Sequence, residues 1–236
     1  MIPSEGKIYL NAKSALHDVK NGVSIMSGGF GLCGIAENCI SALHESDVKD
    51  LTVISNNIGN SGRGLAVLLQ KKQINKAYCS YVGGNPDLES QILSGEVDVE
   101  LVPQGTFAER IRAAGMGIRA FFTPTGYGTT IAEGKETKTF DRPCILEHAL
   151  HADFAIIKAQ RGEHYGNLWF KETARNFSPL MAMAAKITVV EVEELVPLGT
   201  IPAEDVHLPG IFVQRIFEGT NYKNHIEFEI LAEGEN

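Results

Sequence analysis

Basic runs, membrane-length apolar stretches and paired cysteines are all missing from this sequence of 236 residues. No run of Lys and Arg extends beyond Lys71-Lys72 and the formal net charge is −8, so neither a nucleic-acid surface nor an anionic membrane partner is expected. No apolar stretch is long enough to span a bilayer, and Met1-Ile2-Pro3-Ser4-Glu5-Gly6-Lys7 has no basic region followed by an apolar core, which predicts a cytoplasmic protein. Cys33, Cys39, Cys79 and Cys144 contain no C-x-x-C pair, and the histidines no H-x-x-x-H pair. Reduced thiols are expected, with no disulfide framework and no metal site. A nucleophile is missing too. No carboxylate stands in a glycine-framed loop as an exposed nucleophile would. Cys33 has no histidine nearby in sequence to act as its base, so it reads as a packed loop residue.

What is present is glycine in a particular place. The run Ser24-Ile25-Met26-Ser27 breaks into Gly28-Gly29-Phe30-Gly31-Leu32-Cys33-Gly34 and then a helical pattern, which predicts strand, turn and helix. Glycines there permit positive φ and close approach of bare N–H groups to a ligand, and the following helix adds the positive end of its dipole. The expectation is a site for an anion. The spacing Gly29-x-Gly31-x-x-Gly34 also fits a dinucleotide fingerprint. That reading wants an acidic residue at the end of the second strand, where Leu51-Thr52-Val53-Ile54-Ser55 instead meets Asn56-Asn57. A dinucleotide-binding oxidoreductase is therefore the runner-up.

With 44% hydrophobic and 21% charged residues, the chain has the composition of a soluble globular protein. Strands and helices alternate along it. Helices are predicted over 12–20, capped by Asn11, and after the glycine loop, with Ile35, Cys39, Ile40 and Leu43 inward and Glu37, His44 and Glu45 facing water. A helix over 65–72, a strand over 76–80 and a helix with Leu88, Ile92 and Leu93 on one face follow. Val97, Val99 and Leu101 then alternate with Asp98 and Glu100, as in a strand near a sheet edge. Thr106 and Glu109 have capping-box spacing, with Phe107, Ile111 and Ala114 as the buried stripe. Further strands are expected at 118–122, 154–158, 187–192 and 211–216, a hairpin at 138–146, and a helix over 180–186 capped by Ser178-Pro179. The recurrence specifies one α/β domain with a mainly parallel sheet flanked by helices.

Polar loops at the predicted strand ends are where function is expected. The polar loop 55–64 opens with Asn56 and Asn57, which read equally as ligand contacts or as residues tolerant of a turn. Gln104, at a strand-to-helix junction, is an uncharged amide able to donate to a carboxylate or thioester oxygen without neutralising a nearby nucleophile. The hydroxyl-rich loop 123–130 reads equally as a substrate-facing lid or a plain surface loop.

The segment from Asn21 through Gly34 resembles the first signature of the class I CoA-transferases, specifically the A-type subunits of their succinyl-CoA:3-oxoacid branch. Asn56-Asn57, Ser80-Tyr81-Val82-Gly83, Val102-Pro103-Gln104-Gly105-Thr106, Thr123-Pro124-Thr125-Gly126, Thr173-Ala174-Arg175-Asn176-Phe177 and Val190-Glu191-Val192-Glu193-Glu194 extend the likeness in the same order. It runs from about residue 7 to 219 and makes residues 1–236 one Rossmann-like CoA-transferase domain of the A type. The resemblance implies transfer of CoA from succinyl-CoA to a 3-oxoacid such as acetoacetate, by ping-pong chemistry on a glutamate of a B-type partner subunit, in an A2B2 hetero-oligomer. It implies CoA binding by Gly28, Gly29, Phe30, Gly31, Leu32, Cys33 and Gly34, substrate contacts from Asn56, Asn57 and Gly105, and an orienting or polarising role for Gln104. CoA thioesters enter as substrates, with no tightly bound cofactor. Ser27, Ala36, Gly84 and the stretch 161–165 depart from the pattern, and acetate, butyrate or 3-oxoadipate is the alternative acid.

Overall fold

Four-residue strands whose successive side chains are buried on opposite faces set the centre of the molecule. In β1 (Ser24–Ser27), Ile25 faces one apolar cluster and Met26 another, and Val53 and Ile54 of β2 (Leu51–Ile54) divide in the same way. The sheet is therefore covered on both faces. The computed structural model describes residues 6–60 and 62–225, so the first five residues, Ser61 of the polar loop and the last eleven residues lie outside it.

Strands and helices alternate as α1 (Ala12–Ala15), β1, α2 (Glu37–Glu45), β2, α3 (Ala66–Gln70), β3 (Ile74–Cys79), α4 (Pro86–Leu93), β4 (Asp98–Leu101) and α5 (Gln104–Gly115). The chain then builds a small antiparallel sheet from β5 (Ala120–Thr123), β6 (Thr137–Thr139) and β7 (Pro143–His148), in the order β5-β7-β6. It returns as β8 (Ala152–Glu163), which pairs with β1 on the side away from β2. The antiparallel β9 (Leu168–Trp169), α6 (Ser178–Ala184), β10 (Ala185–Val196) and β11 (Arg215–Glu218) complete the chain. The main order is β11-β10-β8-β1-β2-β3-β4, parallel throughout, with β9 added to β8. Strand order reverses at β1, and in open α/β sheets ligands sit beyond the carboxyl ends of strands at such a reversal. The glycine loop leaves β1 at that point.

One helical layer, α1 to α4, packs on the Ile25 face, and α5 and α6 pack on the Met26 face through Phe107, Ile111, Phe177 and Met181. Arg110 fixes α5 from its middle, donating to the His148 carbonyl at 2.8 Å and to Glu100 at 2.6 Å. Helix, small sheet and edge strand are tied together, which makes the first turn of α5 a rigid platform.

The parallel sheet and the edge position of β4 agree with expectation. Several local expectations are corrected. Helix α1 stops at Ala15 because Arg215 Nη1 occupies the Ala15 carbonyl at 2.6 Å, and the Val19 amide turns to Leu16 instead. Thr106 is not a cap: α5 begins at Gln104 after Pro103, Thr106 is buried in its first turn, and Glu109 pairs with Arg112. Ser178 is the first residue of α6, not its cap, and its buried hydroxyl has no hydrogen-bond partner among the described residues. Leu93 is 89% exposed, leaving Leu88 as the buried contact of α4, and His44 is half-buried. The strand expected at 118–122 begins at Ala120 and belongs to the small sheet, and the one expected at 211–216 is a 3-10 turn over Gly210–Phe212 leading into β11. All four cysteines are free thiols. Among the described residues no helix is long and apolar enough to cross a membrane.

Candidate active site

Hydrogen bonds of the sheet continue past the strand ends and bring three loops together. Ser55 N–H donates to the Tyr78 carbonyl at 3.1 Å, Ser80 N–H to Asn56 at 3.0 Å, and Val102 N–H to Cys79 at 2.8 Å. Asn56 therefore lies beside Ser80, and Gln104 enters from the next strand. Asn56 Nδ2 donates to Ser80 Oγ at 3.1 Å and to Gln104 Oε1 at 2.9 Å, while its Oδ1 accepts from Gly31 N–H at 3.2 Å. Ser80 Oγ closes the triangle by a short hydrogen bond to Gln104 Oε1 and also lies 3.2 Å from the Asn56 carbonyl. Asn56 is buried and Gln104 exposed, so the network runs from the interior to the surface.

The glycine loop is held from the opposite side by Asn176. Its Oδ1 accepts from Gly29 N–H at 3.0 Å and Phe177 N–H at 2.7 Å, and its Nδ2 donates to the Cys33 carbonyl at 3.1 Å. Its backbone sits at φ 22°, ψ −120°, a strained conformation of the kind that gathers at functional sites. Inside the loop Phe30 and Cys33 exchange backbone hydrogen bonds of 3.0 Å each. Gly29 at φ 122° leaves no room for a side chain, since a Cβ would stand 2.6 Å from Ile35 Cγ2. At Gly34, φ 74°, a Cβ would meet the Ala174 carbonyl oxygen at 2.6 Å.

These contacts correct the expectation of bare N–H groups. Those of Gly28, Gly29, Phe30, Gly31 and Cys33 all have protein acceptors. Helix α2 begins only at Glu37, and its first amides already hold a carboxyl group of the protein itself. Asn38 and Cys39 N–H donate to the Glu191 carboxylate at 3.2 and 2.8 Å. The loop turns its outer edge elsewhere: Leu32, Cys33 and Gly34 line a cavity of about 330 Å³ with Lys158, Lys171 and Thr173. Lys158 Nζ is held there by Glu193 at 2.8 Å and by Asn224, and lies 4.0 Å from the centre of the Tyr222 ring.

Burial pushes the Glu191 carboxyl up to about 7, against the lowering effect of the Cys39 and Asn38 amides and Lys158, and the buried Cys39 thiol beside it is also raised. A raised carboxyl keeps its proton in the folded state where the unfolded chain has lost it, so stability falls as pH rises from about 4.5 through 7. The loss attributable to this group reaches about 3 kcal/mol. Denaturation midpoints of Glu191→Gln are expected to lose that slope between pH 5 and 7.5. The same slope in variant and parent would contradict it.

Of the residues singled out from sequence, the structure joins Gly31, Asn56 and Gln104 in one network. Asn57 is elsewhere: its Oδ1 accepts from Gly59 N–H at 3.3 Å and closes its own turn. Gly105, exposed beside Gln104, would meet nothing within 4 Å if it carried a Cβ. Phe30 projects from the loop, 52% exposed, and Leu32 is buried. The 123–130 loop is exposed at its tip and braced internally by Thr129 Oγ1 on the Gly126 carbonyl at 2.7 Å. Neither Ser80 nor Asn176 stands out as a site residue from local pattern. An asparagine just before a helix, tolerant of positive φ, is the available signal for Asn176. The network consists of amides and one hydroxyl. It can orient and polarise an oxygen but contains no carboxylate, thiolate or imidazole to attack with.

The sequence model of the family described as coenzyme A transferase matches residues 9–219. The A-type chain of a succinyl-CoA:3-ketoacid coenzyme A transferase from Helicobacter pylori is 51% identical over 94% of this chain and 96% of its own length. The human mitochondrial succinyl-CoA:3-ketoacid coenzyme A transferase 2 is 45% identical over 94% of this chain but only 46% of its own. Among solved structures, an acyl-CoA transferase of Escherichia coli O157:H7, in a thioester complex with CoA, superposes with a TM-score of 0.83 at 21% identity, covering 91% of this chain and 48% of that one.

Proposed function

This chain belongs to the coenzyme A transferase family, and we propose that it is the A-type half of an enzyme that moves CoA from succinyl-CoA to a 3-oxoacid such as acetoacetate. The observation that carries this assignment is the exposed Gln104 amide, held by Asn56 and Ser80. It is an orienting group without a nucleophile. The human relative extends over as much again beyond the region matched here, which supports a second half supplied to this chain as a separate, B-type polypeptide.

In the proposed cycle a glutamate of the B-type partner attacks the succinyl-CoA carbonyl, and CoA thiolate leaves as an acyl-glutamyl anhydride forms. The thiolate then attacks the glutamyl carbonyl of the anhydride, releasing succinate and leaving a glutamyl-CoA thioester. The 3-oxoacid carboxylate reverses the two steps. Gln104 Nε2 donates to the oxygen on which negative charge develops. Leu32, Cys33 and Gly34 face CoA from the cavity edge, and Gly105 leaves room for a bound acid beside Gln104. The chain works as one domain in an A2B2 assembly in the cytoplasm, with CoA thioesters as substrates. The dinucleotide alternative loses its footing: where a ribose would need an acid, Asn56 is engaged with Gly31, Ser80 and Gln104.

Co-expression with the B-type partner, followed by assay with succinyl-CoA and a panel of acids, tests the reading. Parallel-line ping-pong kinetics with acetoacetate as acceptor are expected. Intersecting lines, or transfer from succinyl-CoA to none of the acids, would contradict it.

A further inference from the structure

Asn and Gln side chains can face either way, and here one backbone group decides the direction. Gly31 N–H can only donate, so the atom of Asn56 facing it at 3.2 Å is the oxygen. The Asn56 amide nitrogen then points at Ser80 Oγ and Gln104. Nδ2 can only donate, so the Gln104 atom 2.9 Å away must also be oxygen. Ser80 Oγ accepts one Asn56 hydrogen and directs its own proton onto the same Gln104 oxygen. With two donors on Oε1, the reverse orientation would set Gln104 Nε2 against an N–H and an O–H. Both hydrogens of Nε2 therefore face outward, and no protein group among the described residues accepts from them.

We propose that Ser80 is a positioning residue that, with Asn56, locks the Gln104 amide in one orientation, so the site offers donors only and selects an oxygen acceptor. The acceptor is a thioester carbonyl, a carboxylate or the oxyanion formed from either. This rests on the CoA-transferase reading above and adds how the orienting amide is itself oriented. The glycine loop takes part through Gly31, two hydrogen-bonded links from the Gln104 amide, and so controls its polarity without touching the acyl group.

The test is a double-mutant cycle in the assembled complex with the B-type partner, reading kcat and KM for succinyl-CoA. Ser80→Ala is expected to lower kcat about five- to thirtyfold with KM nearly unchanged, and Ser80→Thr, which keeps the hydroxyl, to recover most of it. In a Gln104→Ala background the same Ser80→Ala change is expected to alter kcat less than about twofold, because there is no amide left to hold. An equal loss in both backgrounds would show a merely structural role and overturn the proposal, as would full activity of Ser80→Ala. Crystal structures of parent and Ser80→Ala complexes supply a readout independent of turnover. Gln104 is expected to leave Asn56 in the variant, and an unmoved side chain overturns the proposal. If the parent complex transfers no CoA, the functional reading fails, and the position of Gln104 still decides this one.

Discussion

Gln104→Ala is expected to lower turnover of the assembled enzyme by about ten- to a thousandfold while leaving the complex intact. The size follows from losing a preorganised donor at an oxygen that gains charge in the transition state. The selectivity follows from position. Gln104 is exposed, it is the first residue of α5, and alanine is a good helix former there. Its removal frees Asn56 Nδ2 and Ser80 Oγ at a surface where water can replace the lost acceptor. The rest of α5 stays anchored through Phe107, Arg110 and Ile111. Steady-state kinetics with size-exclusion chromatography checks both parts. A rate within twofold of the parent would remove Gln104 from the site.

Gly29→Val is expected to act on fold and function together. At φ 122° an L side chain is strained, and its Cβ would be driven to 2.6 Å from Ile35 Cγ2, behind the loop. Backbone strain and overpacking each cost about 1–3 kcal/mol, a large share of the roughly 5–15 kcal/mol that holds a domain folded. A fall in melting temperature of about 5–20 °C is expected, with acyl-CoA use reduced at least about a hundredfold in the fraction that folds. Gly105→Ala is the contrast, since open space surrounds that position, and its melting temperature is expected to match the parent's. Melting curves followed by circular dichroism decide it, and an unshifted curve for Gly29→Val would contradict the packing described here.

Period and punctuation make much of this molecule legible from sequence. Short apolar runs ending in glycine and amide loops announce a parallel sheet, and they locate Gly31, Asn56 and Gln104, which follow strands close in sequence. Contacts between distant segments are not legible. Asn176 lies 147 residues from the Gly29 it clamps, and Glu191 152 residues from the Cys39 amide it caps. Both reach the site because β8 and β10 return on the far side of β1, a placement no local pattern encodes. The anion expectation shows the same limit. The glycine cluster and helix start suit an anion, but partners folded in from the carboxyl-terminal half take the N–H groups: Asn176 at the loop and the Glu191 carboxylate at α2. Ser80 is hidden for a simpler reason, since it reads as the last residue of the strand expected over 76–80 until its hydroxyl is seen on Gln104. The hairpin expected at 138–146 is the β6–β7 pair of the small sheet, but its third strand is not placed there, because local patterning predicts a strand at β5 without saying which sheet receives it.

In the mechanism proposed here this chain orients the acyl group and its partner attacks it, so the location of the covalent intermediate is decisive. It is read by peptide mass mapping after the co-expressed pair is treated with succinyl-CoA and the intermediate trapped. A CoA-derived mark is expected on a glutamate of the B-type partner, with no turnover by this chain when the partner is withheld. A mark on Cys33 or on any glutamate of this chain, or substantial turnover without the partner, would contradict that division of labour.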